Sequence, residues 1–151
     1  ASGKYRRIGA VLTDGSANIL GFTQVGDEFL WDDPPLDINV SSVTSATLYA
    51  MSSPLGVRCK VNFNFYLSSV SNSEGAYFTC PDQDDETPAI ASPGPVSQDQ
   101  STNNNGSIIA VGGTASTMTN TSSQVRADSQ DTSFTLTATT LNYIDRRGRD
   151  D

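Results

Sequence analysis

The chain contains no histidine. That removes the commonest general base, the usual nitrogen ligand of zinc and the usual pH switch near neutrality. No other single feature argues as strongly against an enzyme. Long apolar runs are also missing. No stretch approaches the roughly 18 residues of a membrane span, and no signal-peptide pattern opens the chain, so membrane insertion is not expected. Positive charge is scarce: 9 Lys and Arg stand against 17 Asp and Glu, a net charge of −8. Six of the nine basic residues sit at the ends, Lys4, Arg6 and Arg7 with Arg146, Arg147 and Arg149, which leaves 3 basic and 15 acidic residues between Ile8 and Asp145. A body of that sign repels phosphate backbones and excludes nucleic acid as the expected partner. Gly-rich phosphate loops, serine-elbow motifs and CxxC pairs are absent too. No cofactor is expected.

Cysteine is limited to Cys59 and Cys80. Two thiols without histidine make a poor zinc site. Both fall on apolar faces of strand-like segments, where free cysteines commonly act as small buried hydrophobes. If their strands pair as neighbours in register, a disulfide is geometrically allowed.

What the chain does have is alternation. From Val57 to Ser68 the residues Val57, Cys59, Val61, Phe63, Phe65 and Leu67 occupy one face, and Arg58, Lys60, Asn62, Asn64, Tyr66 and Ser68 the other. A period of two predicts a β-strand with one buried face, and this strand is expected to anchor the core. Before it, strands are expected over Arg7 to Thr13, over Asn18 to Gln24 as its hairpin partner across Asp14-Gly15-Ser16, and over Glu28 to Trp31, ended by Pro34 and Pro35. Leu36 to Val40 and Ala46 to Ser52 follow. In the last of these, Leu48 and Ala50 read as apolar beside exposed Tyr49 and Met51.

Beyond the long strand, Ala76 to Cys80 returns. Pro81 to Gly106, twenty-six residues with four prolines and five acids, reads as one long loop. Ser107 to Val111 reads as a strand broken by Gly112-Gly113, and Gln124 to Ala127 as a short strand. Thr132 to Tyr143 alternates and then slips register near Thr139-Thr140, where a bulge fits. No segment repeats apolar residues at i, i+3, i+4, i+7, and no repeat of 20–50 residues is present. One all-β domain follows over residues 1–151: an antiparallel β-sandwich or jelly roll of eight to ten strands with essentially no helix.

Candidate chemistry is thin. The acids Asp82, Asp84, Asp85 and Glu86 could hold calcium only irregularly, since counting from Asp82 puts Thr87 and Pro93 where an EF-hand needs Gly and Glu. No metal site is expected. Asp32, Asp33 and Asp37 beside Trp31 are the best carboxylate set for a sugar, either as a hydrolytic pair or as a binding rim next to an aromatic face. Trp31, Asp32, Asp33, Tyr66 and Tyr77 are the ligand-binding candidates, and no catalytic residue is assigned. For Trp31 the competing reading is a core aromatic.

The stretch KYRRIGAVLTDGSANILGFTQVGDEFLW, Lys4 to Trp31, resembles a signature in tailed-phage and prophage proteins. There a segment like Tyr5-Arg6-Arg7-Ile8-Gly9 runs into Thr13-Asp14-Gly15-Ser16, then Ile19, Phe22 and Gln24, and finally Gly26 to Trp31. Tyr143 to Arg149 is similar to the way such proteins end. The resemblance implies a C-terminal knob of a longer tail fibre, spike or needle, carried on the virion and assembled in the bacterial cytoplasm. The expected partners are a host cell-surface glycan or outer-membrane protein. It also implies a homotrimer, in which the basic ends would meet the acidic bodies of neighbouring subunits. A purely structural virion piece is the alternative, and a glycan hydrolase a more distant one.

Overall fold

The computed structural model describes residues 9–41, 43, 46–69, 74–88, 98–101, 109–129 and 134–146, and none of these is helical. They form ten strands: β1 (Phe22–Val25), β2 (Glu28–Trp31), β3 (Leu36–Val40), β4 (Thr47–Ala50), β5 (Lys60–Ser69), β6 (Glu74–Thr79), β7 (Gln98–Ser101), β8 (Ile109–Met118), β9 (Gln124–Ser129) and β10 (Phe134–Ile144). Every pairing is antiparallel. The larger sheet runs β1-β2-β10-β5-β8, with β3 also on β10, and the smaller runs β4-β9-β6-β7. The fold is the expected all-β sandwich.

β5 organises the larger sheet. Val61, Phe63, Phe65 and Leu67 are buried, as is Cys59 just before the strand. Phe78 on β6 meets Phe63 edge-on at 5.0 Å and Phe65 at 5.1 Å, so one aromatic joins the two sheets. Val125 and Ala127 of β9 and Leu136, Ala138 and Tyr143 of β10 complete that core. The strand itself starts at Lys60, so Val57 and Arg58, which alternation placed in it, lie outside the ladder.

β2 and β3 lie end to end along one edge of β10, Leu30 opposite Asn142 and Ile38 opposite Ala138. They are one strand path interrupted by Asp32 to Pro35. Prolines cannot donate to a ladder, yet the Pro35 carbonyl still accepts from the Thr140 N–H at 3.0 Å. The register of β10 shifts between Ala138 and Thr139 against β3, and between Thr140 and Asn142 against β5. The bulge is therefore where the sequence placed it.

Four further expectations need correction. The Asp14-Gly15-Ser16 turn forms, with a Thr13–Ile19 bridge and a Leu20 N–H donating to Leu12 O at 3.0 Å. Residues 22–25, however, leave it to pair with β2. The two-residue loop Gly26-Asp27, with Gly26 at φ +64°, closes that tighter hairpin, and Phe22 packs on Phe29 at 5.2 Å. Arg7 and Ile8 lie outside the described residues. The long loop after Pro81 contains β7, paired to β6. Gly112-Gly113 does not break β8, because β5 runs antiparallel beside it through every residue from Ile109 to Met118. In β4 the faces are reversed: Leu48 and Ala50 are exposed, Met51 is buried and Tyr49 packs on the core. A period of two identifies the two faces but not which one points inward. The strands next to Cys59 and Cys80 belong to opposite sheets, so the condition for a disulfide is not met, and the two are buried, unbridged thiols, as the other reading of the sequence had it.

Candidate functional site

The sequence candidates do not converge. Trp31 is 6% exposed. Its ring packs on Tyr143 at 5.4 Å and its indole N–H donates to Ser52 O at 3.1 Å, so it is a core aromatic and offers no open face to a sugar. Tyr77 is 3% exposed and offers none either. Asp32 and Asp33 are exposed on the β2–β3 interruption, where Asp32 accepts from Thr23 Oγ1 at 3.3 Å. Asp37 is fully engaged: its carboxylate accepts from the Ser52 N–H and Ser52 Oγ, both at 2.7 Å, and from Thr140 Oγ1. That set ties β3 to the segment after β4 and leaves no carboxylate pair poised across a cleft.

The acidic loop is likewise occupied. Arg58 pairs with Asp82 at 2.9 Å, and the Arg126 guanidinium donates to Gln83 O and Pro81 O, both at 3.0 Å, and lies 3.7 Å from Asp85. Two of the three cations of the body are thus spent on this loop. Among the described residues no three acids, cysteines or histidines gather as a metal site would require.

Tyr66 is the one aromatic candidate in the open, 45% exposed on the outer face of the larger sheet, one strand in from its β8 edge. Register builds the surface around it. Asn39, Thr137, Tyr66 and Gly112 stand in one cross-strand row, and Leu36, Thr139, Asn64 and Thr114 in the next. Beyond these lies Leu30, Asn142, Asn62 and Ser116. Strands about 4.8 Å apart place these groups within the span of a sugar ring or two. They also brace one another: Thr114 Oγ1 donates to Asn64 Oδ1 at 2.8 Å, and Asn62 Nδ2 donates to Asn142 Oδ1 at 2.6 Å. Gly112, beside Tyr66, puts no side chain in the way.

Charge sets this surface apart. β5, β8 and β10 carry a single charged residue, Lys60, in a chain of net charge −8. The surface therefore holds amides, hydroxyls and one phenol, groups that hydrogen-bond and stack. Toward β1 it grades into exposed apolar residues: Val25 at 62%, Leu36 at 58%, and Leu30. Alternation alone had put Asn62, Asn64 and Tyr66 on one polar face. Their neighbours Asn39, Thr114, Thr137 and Asn142 could not be found that way, because they come from three other strands.

No family model, no curated protein and no solved structure matches the chain.

Proposed function

We propose that the chain is a non-catalytic recognition domain, a receptor-binding knob of a tailed-phage appendage carried on the virion. On this reading it takes a neutral cell-surface glycan, or a glycan-like part of an outer-membrane component, on the outer face of its larger sheet. The observation that carries the reading is the exposed Tyr66 ring set among asparagines and threonines on a neutral face of an otherwise acidic molecule. Tyrosine supplies contact area at small entropic cost, and amides and hydroxyls adapt to a partner's hydroxyls. The lack of histidine and the engagement of Asp37 support recognition without catalysis. The phage setting rests on the resemblance of Lys4 to Trp31 and of Tyr143 to Arg149.

Binding to a glycan array and to bacterial cells tests the reading. The Tyr66→Ala variant should bind about tenfold more weakly, the equivalent of ~1.4 kcal/mol, with its melting temperature unchanged. Equal binding by the variant, or no binding to any glycan or cell, would sink it.

A second reading is favoured by the apolar strip Val25, Leu30 and Leu36. Exposed apolar residues on one face suit an interface, as in a structural virion piece such as a fibre cap, needle tip or capsid decoration, although Glu28 stands opposite Val25. Particles lacking the chain that assemble poorly but adsorb normally would favour this reading over receptor binding.

A further inference from the structure

We propose that the outer edge of β8 is an interface that pairs antiparallel with β8 of a second copy of this chain. Edge strands present unpaired N–H and C=O groups, and proteins usually blunt them by shortness, charge or proline. Among the described strands, four of the five edges are blunted. β1, β4 and β7 are four residues long, with Asp99 in β7. β3 has five residues, carries Asp37 and follows Pro34-Pro35. β8 differs. It runs ten residues, Ile109 to Met118, with no charge and no proline, and among the described residues no strand pairs with its outer side.

The hydrogen-bond phase shows which groups are open. Thr119 N–H donates to Cys59 O at 2.8 Å, and these two residues continue the β5–β8 register. In an antiparallel ladder, residues that bond across alternate with residues whose N–H and C=O point away. Ala115 and Thr117 therefore bond to β5, while Ala110, Gly112, Thr114, Ser116 and Met118 direct their backbone groups outward. Gly112, Thr114 and Met118 are exposed. Ser116 Oγ, on the same strand, is the one buried side-chain polar atom without a hydrogen-bond partner among the described residues.

Chemistry selects a second copy as the occupant. Two chains of net charge −8 repel at most surfaces, but β5, β8 and β10 hold only Lys60, so the strand itself and its sheet neighbours bring no acid to the contact. The strand is self-complementary as well. A two-fold axis at Thr114 sets it against the second copy's Thr114, Gly112 against the second copy's Ser116, and Ala110 against the second copy's Met118. That register employs all five outward-facing residues and forms about ten backbone hydrogen bonds. Glycine opposite Ser116 leaves its hydroxyl room to turn toward the added strand.

The contact is two-fold and separate from any three-fold association, so either can fail alone. Light scattering across a concentration series should find twice the chain mass, or six times where a trimer also forms. The chain mass itself, or three times it, at every concentration would overturn the pairing. Thr114→Pro removes an N–H that β5 does not use, a substitution an edge tolerates, and should halve the assembled mass with the fold intact by circular dichroism. Thr114→Lys should do the same by setting two charges face to face, which keeps the test decisive if the proline variant fails to fold. Folded variants that keep the parent mass would overturn the proposal. Amide exchange offers an independent readout. Exchange at Gly112, Thr114 and Ser116 should slow as concentration rises, and exchange that stays fast throughout would count against the pairing.

Discussion

Asp14 and Tyr143 show how single side chains hold the N-terminal segment. The Asp14 carboxylate accepts from Asn18 Nδ2 at 3.0 Å, the Asn18 N–H at 2.9 Å and the Ser16 N–H at 2.8 Å. The Asn18 side chain, then the Asn18 and Ser16 backbone bonds, hold its pKa below the ordinary carboxylate value. A depressed folded-state pKa means that the turn's contribution is present above about pH 4 and is lost as pH falls through the folded value. A carboxyl titration by NMR should place Asp14 low, and Asn18→Ala should move it back up. Tyr143 is the opposite case. Burial above all, with the charges of Cys59 and Asp145 adding to it, pushes its phenol far up. A raised folded-state pKa leaves stability intact below about pH 10 and erodes it as pH rises further. Its Oη donates to Ala10 O at 2.9 Å, and its ring stacks on Phe29 at 4.7 Å. Tyr143→Phe should keep the stack, lose about 1 kcal/mol in denaturant titration, flatten the alkaline loss of stability and speed amide exchange at residues 9–12.

At the scale of elements, the clasp between β3 and the end of β4 ties one sheet to the other. Asp37 accepts from Ser52 and Thr140, Trp31 donates to Ser52 O, and Ser123 Oγ donates to Met51 O at 2.6 Å while contacting Ser53 Oγ. Ser123 sits at φ +58°, a conformation costly for a non-glycine residue, and these buried bonds hold it there. Asp37→Ala would strand the Ser52 N–H and the Thr140 hydroxyl, at a cost of about 2–3 kcal/mol. The denaturation midpoint should fall with little change in slope. An unchanged midpoint would mean that solvent replaces the carboxylate and that the clasp contributes little.

The whole molecule separates its charge from the outer face of the larger sheet. Acids gather on the β1–β3 side and on the Pro81 to Pro88 segment, where Arg58 and Arg126 meet Asp82 and Asp85, whereas the β10-β5-β8 face is neutral but for Lys60. The cysteines belong to this scale too. They flank strands of opposite sheets and no disulfide joins them, so denaturing the unreduced protein should expose two titratable thiols. Finding none would require Cys59 and Cys80 to meet across the sandwich core.

The strand content was legible from local pattern. Alternation in Val57 to Ser68 and Thr132 to Tyr143, turn residues at Asp14-Gly15-Ser16 and Gly26-Asp27, and the slip near Thr139-Thr140 all report local backbone geometry, which neighbouring residues largely determine. The N-terminal hairpin partner was not legible, since both β2 and the segment before Asp14 could have paired with Phe22 to Val25, and the Gly26 turn with the Phe22–Phe29 contact decided between them. The orientation of β4 was hidden for a related reason: period two leaves inside and outside symmetric until a second sheet covers one side. Gly112-Gly113 read as a break because glycine lacks a side chain to pack, but the ladder to β5 is made of backbone groups that glycine retains. The candidate site was the least legible. Trp31 and Tyr77 are aromatic in sequence whether buried or open, and only packing against Tyr143 and the strands around β6 took them out of reach. Tyr66 acquired its asparagine and threonine neighbours through strand register, a property of pairs of segments far apart in the chain, Asn39 beside Thr137 among them, which no single stretch of chain can specify.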